Sequence, residues 1–190
     1  MDYESIKQYI GNRQQLFSVR ESCLSGGRAD GVRVIDVQNG GNLSVTIVPD
    51  RCMDIFSVRF KGRCLNYITS NGIAHPAYYE VTGEGWSEAF SGGFLYTCGL
   101  SNTGLRSGTE WDAQKEHGCI ANRPAERVNI VELETADGPT VEITGTMKEG
   151  MLAGTNLSLT RSIRLYYQRD VVEVTDTVKN EGFRRVPHTI

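Results

Sequence analysis

Residues 127–147 have the sequence RVNIVELETADGPTVEITGTM, and this stretch decides the class of fold. Apolar and polar residues alternate on both sides of the four residues ADGP at 136–139. Such alternation places the apolar side chains on one face of a strand, and Asp-Gly is typical of the turn between two strands. The stretch therefore predicts two antiparallel strands, each with one buried face.

The same pattern continues on both sides of this stretch. Downstream, LSLTRSIRLYYQ (157–168) and VVEVTDTVKN (171–180) alternate around an Arg-Asp turn. Upstream, the pattern predicts two strands and a hairpin: VRVIDV (32–37), LSVTIV (43–48) and IFSVRF-KG-RCLNYI (55–68). Strands at short spacing, joined by Gly, Asn and Asp turns, predict an all-β antiparallel sandwich or barrel.

The two ends of the chain differ from this pattern. Ile6, Tyr9 and Ile10 share one face of a helix, so we expect a short helical arm over residues 1–17. The last residues, NEGFRRVPHTI, begin an apolar segment that stops at once. We therefore expect residues 1–190 to form a single, incomplete domain.

Composition excludes several classes of protein. The net charge is -3, and the 20 Lys and Arg residues form no basic block, so we expect neither nucleic acid nor a membrane surface as a partner. No apolar run is long enough to span a membrane, and the first 17 residues contain no apolar h-region, so we expect no secretory leader. The five cysteines include no close pair. They are expected to be reduced, mostly buried thiols of a cytoplasmic protein, with no metal site.

Residues 69–126 show little alternation. They contain many Gly, Ser and Asn residues together with both tryptophans of the chain. Long irregular segments inside a compact domain are usually functional, so site residues are expected in this region and at its borders.

The motif VPDRCMDI at 48–55 places Arg51 and Asp54 in a tight corner between two strands. One hypothesis is that the two side chains pair with each other. The other is that the Arg51 guanidinium binds sugar hydroxyls or a carboxylate, and that Asp54 contributes to the same site.

A second candidate segment is FSGGFLYTCGLSNTG at 90–104. It has neither the Gly-x-Ser-x-Gly pattern of a serine hydrolase nor the Gly-Lys-Ser/Thr of a phosphate loop. Thr97 and Asn102 supply neutral donors and acceptors, as polyol binding requires. A glycine-rich bulge in a strand is the alternative interpretation.

The third segment, KEHGCIANRPAE at 115–126, contains His117. Carboxylates at Glu110, Asp112 and Glu116 favour a protonated imidazole, hence a general acid near neutral pH. A hydrogen-bonded loop histidine is the plainer alternative. Trp111 could stack on a sugar ring, and Asn122 could add a hydrogen bond. A metal site formed by these residues with Cys119 matches no standard ligand spacing.

Together these segments and VKNEGFRRVPHT at 178–189 resemble the galactose mutarotase-like superfamily. More closely, they resemble an uncharacterised bacterial branch of aldose 1-epimerase-like proteins. The resemblance implies a large antiparallel β-sandwich with a carbohydrate cleft and cofactor-free acid/base interconversion of sugar anomers.

In that superfamily a glutamate takes the anomeric proton and a histidine protonates the ring oxygen. His117 matches a further histidine, one that contacts the sugar. The resemblance places the glutamate, and a histidine that follows Asn-Glu-Gly, beyond residue 190. It thus implies that this chain is an N-terminal portion.

Three hypotheses follow. The first is a mutarotase in which His117 is the acid or holds a hydroxyl, with Arg51, Asp54, Thr97 and Asn102 around the sugar. The second is a carbohydrate-binding module without turnover. The third is an inactive remnant whose open strand edges favour homo-oligomers.

Overall fold

The computed structural model describes residues 3–105, 108, 115–152 and 154–190. In these ranges the strands form two antiparallel sheets, each with its strands in chain order. The first sheet consists of β1 (Ser18–Cys23), β2 (Arg33–Gln38), β3 (Leu43–Val48), β4 (Asp54–Phe60) and β5 (Arg63–Cys64). The second consists of β6 (Glu126–Thr135), β7 (Gly138–Gly150), β8 (Asn156–Tyr166) and β9 (Val172–Asn180). The all-β antiparallel prediction is confirmed.

One hydrophobic core joins the two sheets. It combines Ile35, Val45 and Ile55 of the first sheet with Ile143 and Ile163 of the second. Because side chains of both inner faces belong to one cluster, the sheets pack as a β-sandwich.

The inward positions of β7 and β8 follow the period of two that a strand imposes. Two of these positions carry charge. Arg161 lies between the core residues Leu159 and Ile163 and is 1% exposed, and Glu149 follows Met147 on the inward face of β7. A charged side chain inside a core needs polar partners, so both residues require an explanation.

The N-terminal arm is less helical than the sequence predicts. A single turn of helix, α1 (Tyr3–Lys7), is followed by a 3₁₀ turn at Arg13–Gln15. Asn12 caps this second turn by accepting a hydrogen bond from the Gln14 amide, so the first helix does not continue through it. Tyr9, placed on the apolar face by the helix prediction, is 77% exposed.

The segment between β5 and β6 contains the helix α2 (Gly85–Ala89) and 3₁₀ turns at Pro76–Tyr78 and Ile120–Asn122. Isolated bridges pair Leu95 with Ile55 of β4, and Gly99 with Gly118 within the segment. In the described part of the chain, no helix is long and apolar enough to cross a membrane.

Candidate functional site

Arg51 fastens three separate loops to the first sheet. Its guanidinium donates hydrogen bonds of 2.9 Å each to the backbone carbonyls of Ala74, Ala89 and Ala121. The side chain is buried. Because the buried guanidinium donates to three backbone carbonyls, this geometry makes Arg51 a structural residue of the loops, and direct contact with a sugar stays a prediction.

Asp54 does not pair with Arg51, so the pairing hypothesis is wrong. Its carboxylate accepts hydrogen bonds from Thr97 and from the Nη1 of Arg161, the latter at 2.8 Å. Arg161 also contacts Asp176 of β9 through two hydrogen bonds of 2.8 and 2.7 Å. Arg161 thereby links β4, β8 and β9 with the loop that carries Thr97.

The burial of this network affects its protonation. Burial raises the pKa of Asp54 to about 6, although Arg161 and the hydrogen bonds from Thr97 act in the opposite direction. Both predicted site residues, Asp54 and Thr97, are themselves buried. They belong to the buried network with Arg161 and Asp176, called the frame below, and their contact with a ligand stays a prediction.

His117 lies on a tight turn held by backbone hydrogen bonds. Its amide donates to the Gly104 carbonyl at 2.8 Å, and its carbonyl accepts from the Gly99 amide at 3.0 Å. His117 and Gly118 both have left-handed backbone angles, with φ of 51° and 72°. The turn is thus fixed against Gly99 on one side and Gly104 on the other.

Asn102 organises the same loop from within. Its side-chain amide donates to the carbonyls of Gly104, Leu105 and Lys115, and its oxygen accepts from the Gly104 amide. The sequence-predicted residues Asn102 and His117 therefore belong to one loop assembly, in which Asn102 supports the turn.

The imidazole of His117 is held on two sides. Its Nδ1 lies 2.9 Å from the Thr103 carbonyl oxygen, and its ring centroid lies 4.2 Å from that of Trp86. A carbonyl only accepts hydrogen bonds, so Nδ1 must carry the proton in the neutral ring. Nε2 is then the basic nitrogen and is the atom available for proton transfer.

Trp86 belongs to an aromatic cluster that the sequence analysis did not single out. It stacks on Phe90 at 4.8 Å, and Tyr96 meets both rings edge-on. Burial raises the pKa of Tyr96 to about 12, although the nearby Arg51 guanidinium favours the phenolate. The sequence showed only that Trp86 lies in the irregular region 69–126. The contact between Trp86 and His117 depends on the fold.

Several buried polar atoms in this region have no hydrogen-bond partner among the described residues. They are Trp86 Nε1, Tyr96 Oη, both side-chain polar atoms of Asn122, and Glu149 Oε2. Buried polar groups are normally paired, so such atoms are candidates for contacts with a ligand or with water. The predicted residue Asn122 is therefore buried with its amide free.

Glu149 was missed by sequence reasoning. Its Oε1 accepts a 3.3 Å hydrogen bond from Ser101 Oγ, whereas Oε2 has no partner in the described part of the molecule. Burial raises the pKa of Glu149, opposed first by the charge of Lys115. The sequence contained one indication of its position. Glu149 continues the inward series Val141, Ile143 and Met147, where an apolar residue is expected.

Some candidates lie outside the described residues, namely Glu110, Trp111 and Asp112. Within the ranges that the structure describes, no group of three or more His, Cys, Asp or Glu side chains is placed to hold a metal ion. The cysteines are free thiols, but Cys23 and Cys64 are exposed, which corrects the expectation of mostly buried cysteines.

Two solved structures share this architecture. One is a protein from Klebsiella pneumoniae subsp. pneumoniae MGH 78578 that is provisionally assigned as an aldose 1-epimerase. Its TM-score is 0.81 at 22% identity, over 90% of this chain and 47% of that one. The other is the galactose 1-epimerase from Lactobacillus acidophilus NCFM, with a TM-score of 0.50 at 9% identity, over 87% and 49%. The chain thus has the β-sandwich fold of aldose 1-epimerase-like proteins.

The family is shown by sequence as well. The model of the family described as a domain of unknown function (DUF4432) matches residues 29–190, and the chain belongs to that family. A search of the curated proteins found no match. The chain spans about half the length of the two solved structures that it matches.

Proposed function

We propose that this chain forms the sugar-binding, proton-transferring part of an aldose 1-epimerase-like enzyme that interconverts anomers without a cofactor. The observation that carries the proposal is the setting of His117. Its Nδ1 faces the Thr103 carbonyl and its ring packs on Trp86, so Nε2 is the ring nitrogen without a partner among the described residues and is the one proposed to meet a ligand. The fold shared with aldose 1-epimerase-like structures supports the same function.

In the proposed reaction, the anomeric hydroxyl loses a proton while the ring oxygen gains one, which opens the ring to an aldehyde. Rotation about the C1–C2 bond and closure then give the other anomer. His117 has one of two roles: as imidazolium it donates the Nε2 proton to the ring oxygen, or it holds a neighbouring hydroxyl. General acid/base catalysis of this kind contributes roughly 10²- to 10⁴-fold to a rate.

Of the other predicted residues, one is proposed to contact the sugar directly and four to support the loops around it. Asn122 has a buried, unpartnered amide and is proposed to bind a hydroxyl directly. Arg51, Asp54, Thr97 and Asn102 are proposed to keep the loops in place, because their polar atoms already hold internal partners. Stacking of Trp111 on the sugar remains a prediction.

The second candidate function is carbohydrate binding without turnover. It is favoured by the buried side-chain amide of Asn122, which has no partner among the described residues and can bind a hydroxyl without any proton transfer.

Anomer exchange followed by NMR on D-galactose, D-glucose and L-arabinose tests the proposal. The chain is expected to accelerate exchange for at least one sugar, and His117→Ala to remove the acceleration while sugar binding persists. His75→Ala is the matched control, since His75 caps the 3₁₀ turn at Pro76–Tyr78, and it should exchange anomers like the original chain. Binding without acceleration would favour the binding module, and the absence of both would refute the proposal.

A further inference from the structure

Glu149 occupies a position where a carboxylate is costly. It lies on the inward face of β7, in line with Met147, and is 9% exposed. Taking an ionised carboxylate out of water is unfavourable unless hydrogen bonds replace its hydration. The structure supplies a long hydrogen bond from Ser101 at 3.3 Å to Oε1, and the nearby Leu100 backbone amide also lowers the pKa of the carboxyl, but Oε2 has no hydrogen-bond partner among the described residues. A neutral side chain with one acceptor oxygen would be enough to bind the Ser101 hydroxyl, so this hydrogen bond alone does not explain a carboxylate at position 149.

The surroundings connect Glu149 with the His117 turn. Ser101, its hydrogen-bond partner, is two residues from Gly99, and Gly99 pairs with Gly118, the residue after His117. The Tyr79 hydroxyl lies 3.5 Å from the Gly118 carbonyl and 3.6 Å from Cys119 Sγ. Burial raises the pKa of Tyr79 most, followed by Cys119 and Tyr96, and the charge of Glu149 makes a smaller contribution in the same direction.

The charges around Glu149 favour an uncharged partner. Lys115 and Arg123 are the cations that act on its carboxylate. Neither of them donates a hydrogen bond to Oε2, which has no partner among the described residues. The other buried polar atoms without partners, on Trp86, Tyr96 and Asn122, are neutral. A hydroxyl donates to a carboxylate and accepts from an amide or indole N–H, so the hydroxyl groups of a polyol suit each of these kinds of atom.

We propose that Glu149 is a further sugar-binding residue of the His117 site, whose free carboxylate oxygen accepts a hydrogen bond from a hydroxyl of the sugar. This inference rests on the proposed function, because it takes the ligand of the His117 site to be a sugar. It adds a residue on the sandwich itself to a site otherwise built from loops. The rigid strand β7 would then fix one hydroxyl of the sugar relative to His117.

The variant Glu149→Gln tests this role, with Glu142→Gln as the matched control. Glu142 lies on the same strand but on its other face, where it bonds Ser162 and Arg164. Binding of D-galactose, D-glucose and L-arabinose is measured by saturation-transfer NMR, and the melting temperature of each variant by circular dichroism. Glu149→Gln is expected to weaken sugar binding about 10-fold or more without lowering the melting temperature. Glu142→Gln should bind like the original chain.

The outcomes separate this inference from the proposed function. If the original chain binds a sugar and His117→Ala removes anomer exchange, but Glu149→Gln binds within about twofold of the original, the role of Glu149 is refuted and the proposed function stands. Weaker binding together with a lower melting temperature would assign Glu149 to the frame and also refute it. If the original chain binds no sugar at all, both proposals fall together.

Discussion

At the scale of single residues, two histidines illustrate how the backbone selects a tautomer. His117 directs Nδ1 at the carbonyl of Thr103, so its neutral ring is protonated on Nδ1. His75 instead accepts a 3.1 Å hydrogen bond at Nδ1 from the Ala77 amide, so its neutral ring is protonated on Nε2. The two side chains therefore present opposite nitrogens for proton transfer.

This contrast predicts a spectroscopic difference. In a long-range ¹H–¹⁵N correlation spectrum recorded at a pH where both rings are neutral, His117 is expected to show a protonated Nδ1 and an unprotonated Nε2. His75 serves as the internal control and should show the reverse pattern. The same pattern for both rings would contradict the hydrogen bond between His117 and Thr103, and with it the availability of Nε2.

The residue scale is also where sequence reasoning was weakest. Arg51 and Asp54 are three positions apart and were candidates for a pair, yet Asp54 binds Arg161, which is 107 positions away. The partner of a buried charge depends on how the two sheets pack, which local spacing does not contain. Glu149 was missed for the same reason, since alternation marks its inward position but not the loop that covers it.

At the scale of elements, the strands of the second sheet were well predicted. Apolar and polar residues alternate along these strands, with Glu149 and Arg161 as charged exceptions on the inward face, so the period of two is clear. β1 was missed because its sequence, SVRESC, contains few apolar residues and so shows little alternation. The loops were predicted to matter, but Gly118 shows why their conformation was not predictable. Its role depends on how closely Gly99 approaches it.

Gly118→Ala is expected to be strongly destabilising. A Cβ at Gly118 would lie 2.0 Å from the carbonyl oxygen of Gly99, at a φ of +72°. Gly62→Ala is the matched control, because Gly62 has a similar φ of +78° but nothing within 4 Å. We expect Gly118→Ala to lower the free energy of unfolding in urea by about 1 to 3 kcal/mol more than Gly62→Ala. Equal losses would show that the loops at Gly99 and Gly118 separate without cost.

At the scale of the whole molecule, the buried network around Arg161 joins the two sheets. Asp54 opens β4 of the first sheet, whereas Arg161 and Asp176 are paired neighbours on β8 and β9 of the second. The pKa of Asp54, raised by burial to about 6 from 3.8, makes this connection sensitive to pH. Between those values the folded chain binds more protons than the unfolded chain, so the contribution of Asp54 to stability falls as pH rises.

Comparison with Asp54→Asn, which does not titrate at this position, isolates that contribution. The free energy of unfolding of the original chain, minus that of Asp54→Asn, is expected to fall by about 2 to 3 kcal/mol from pH 4 to pH 7 in urea titrations. In a Thr97→Val background the fall should extend to higher pH, because a hydrogen bond that favours the carboxylate is lost. A difference that increases with pH would mean that pairing with Arg161 outweighs burial.

The three hydrogen bonds of Arg51 have a consequence for the motions of the molecule. Because one guanidinium holds the carbonyls of Ala74, Ala89 and Ala121, none of these loops can swing away without releasing a buried cation from a partner. We therefore expect the three segments to open together, so that amide protons near the three alanines exchange with deuterium at one common free energy; clearly different free energies would contradict this. If so, a ligand would gain access to the site only when all three segments open together.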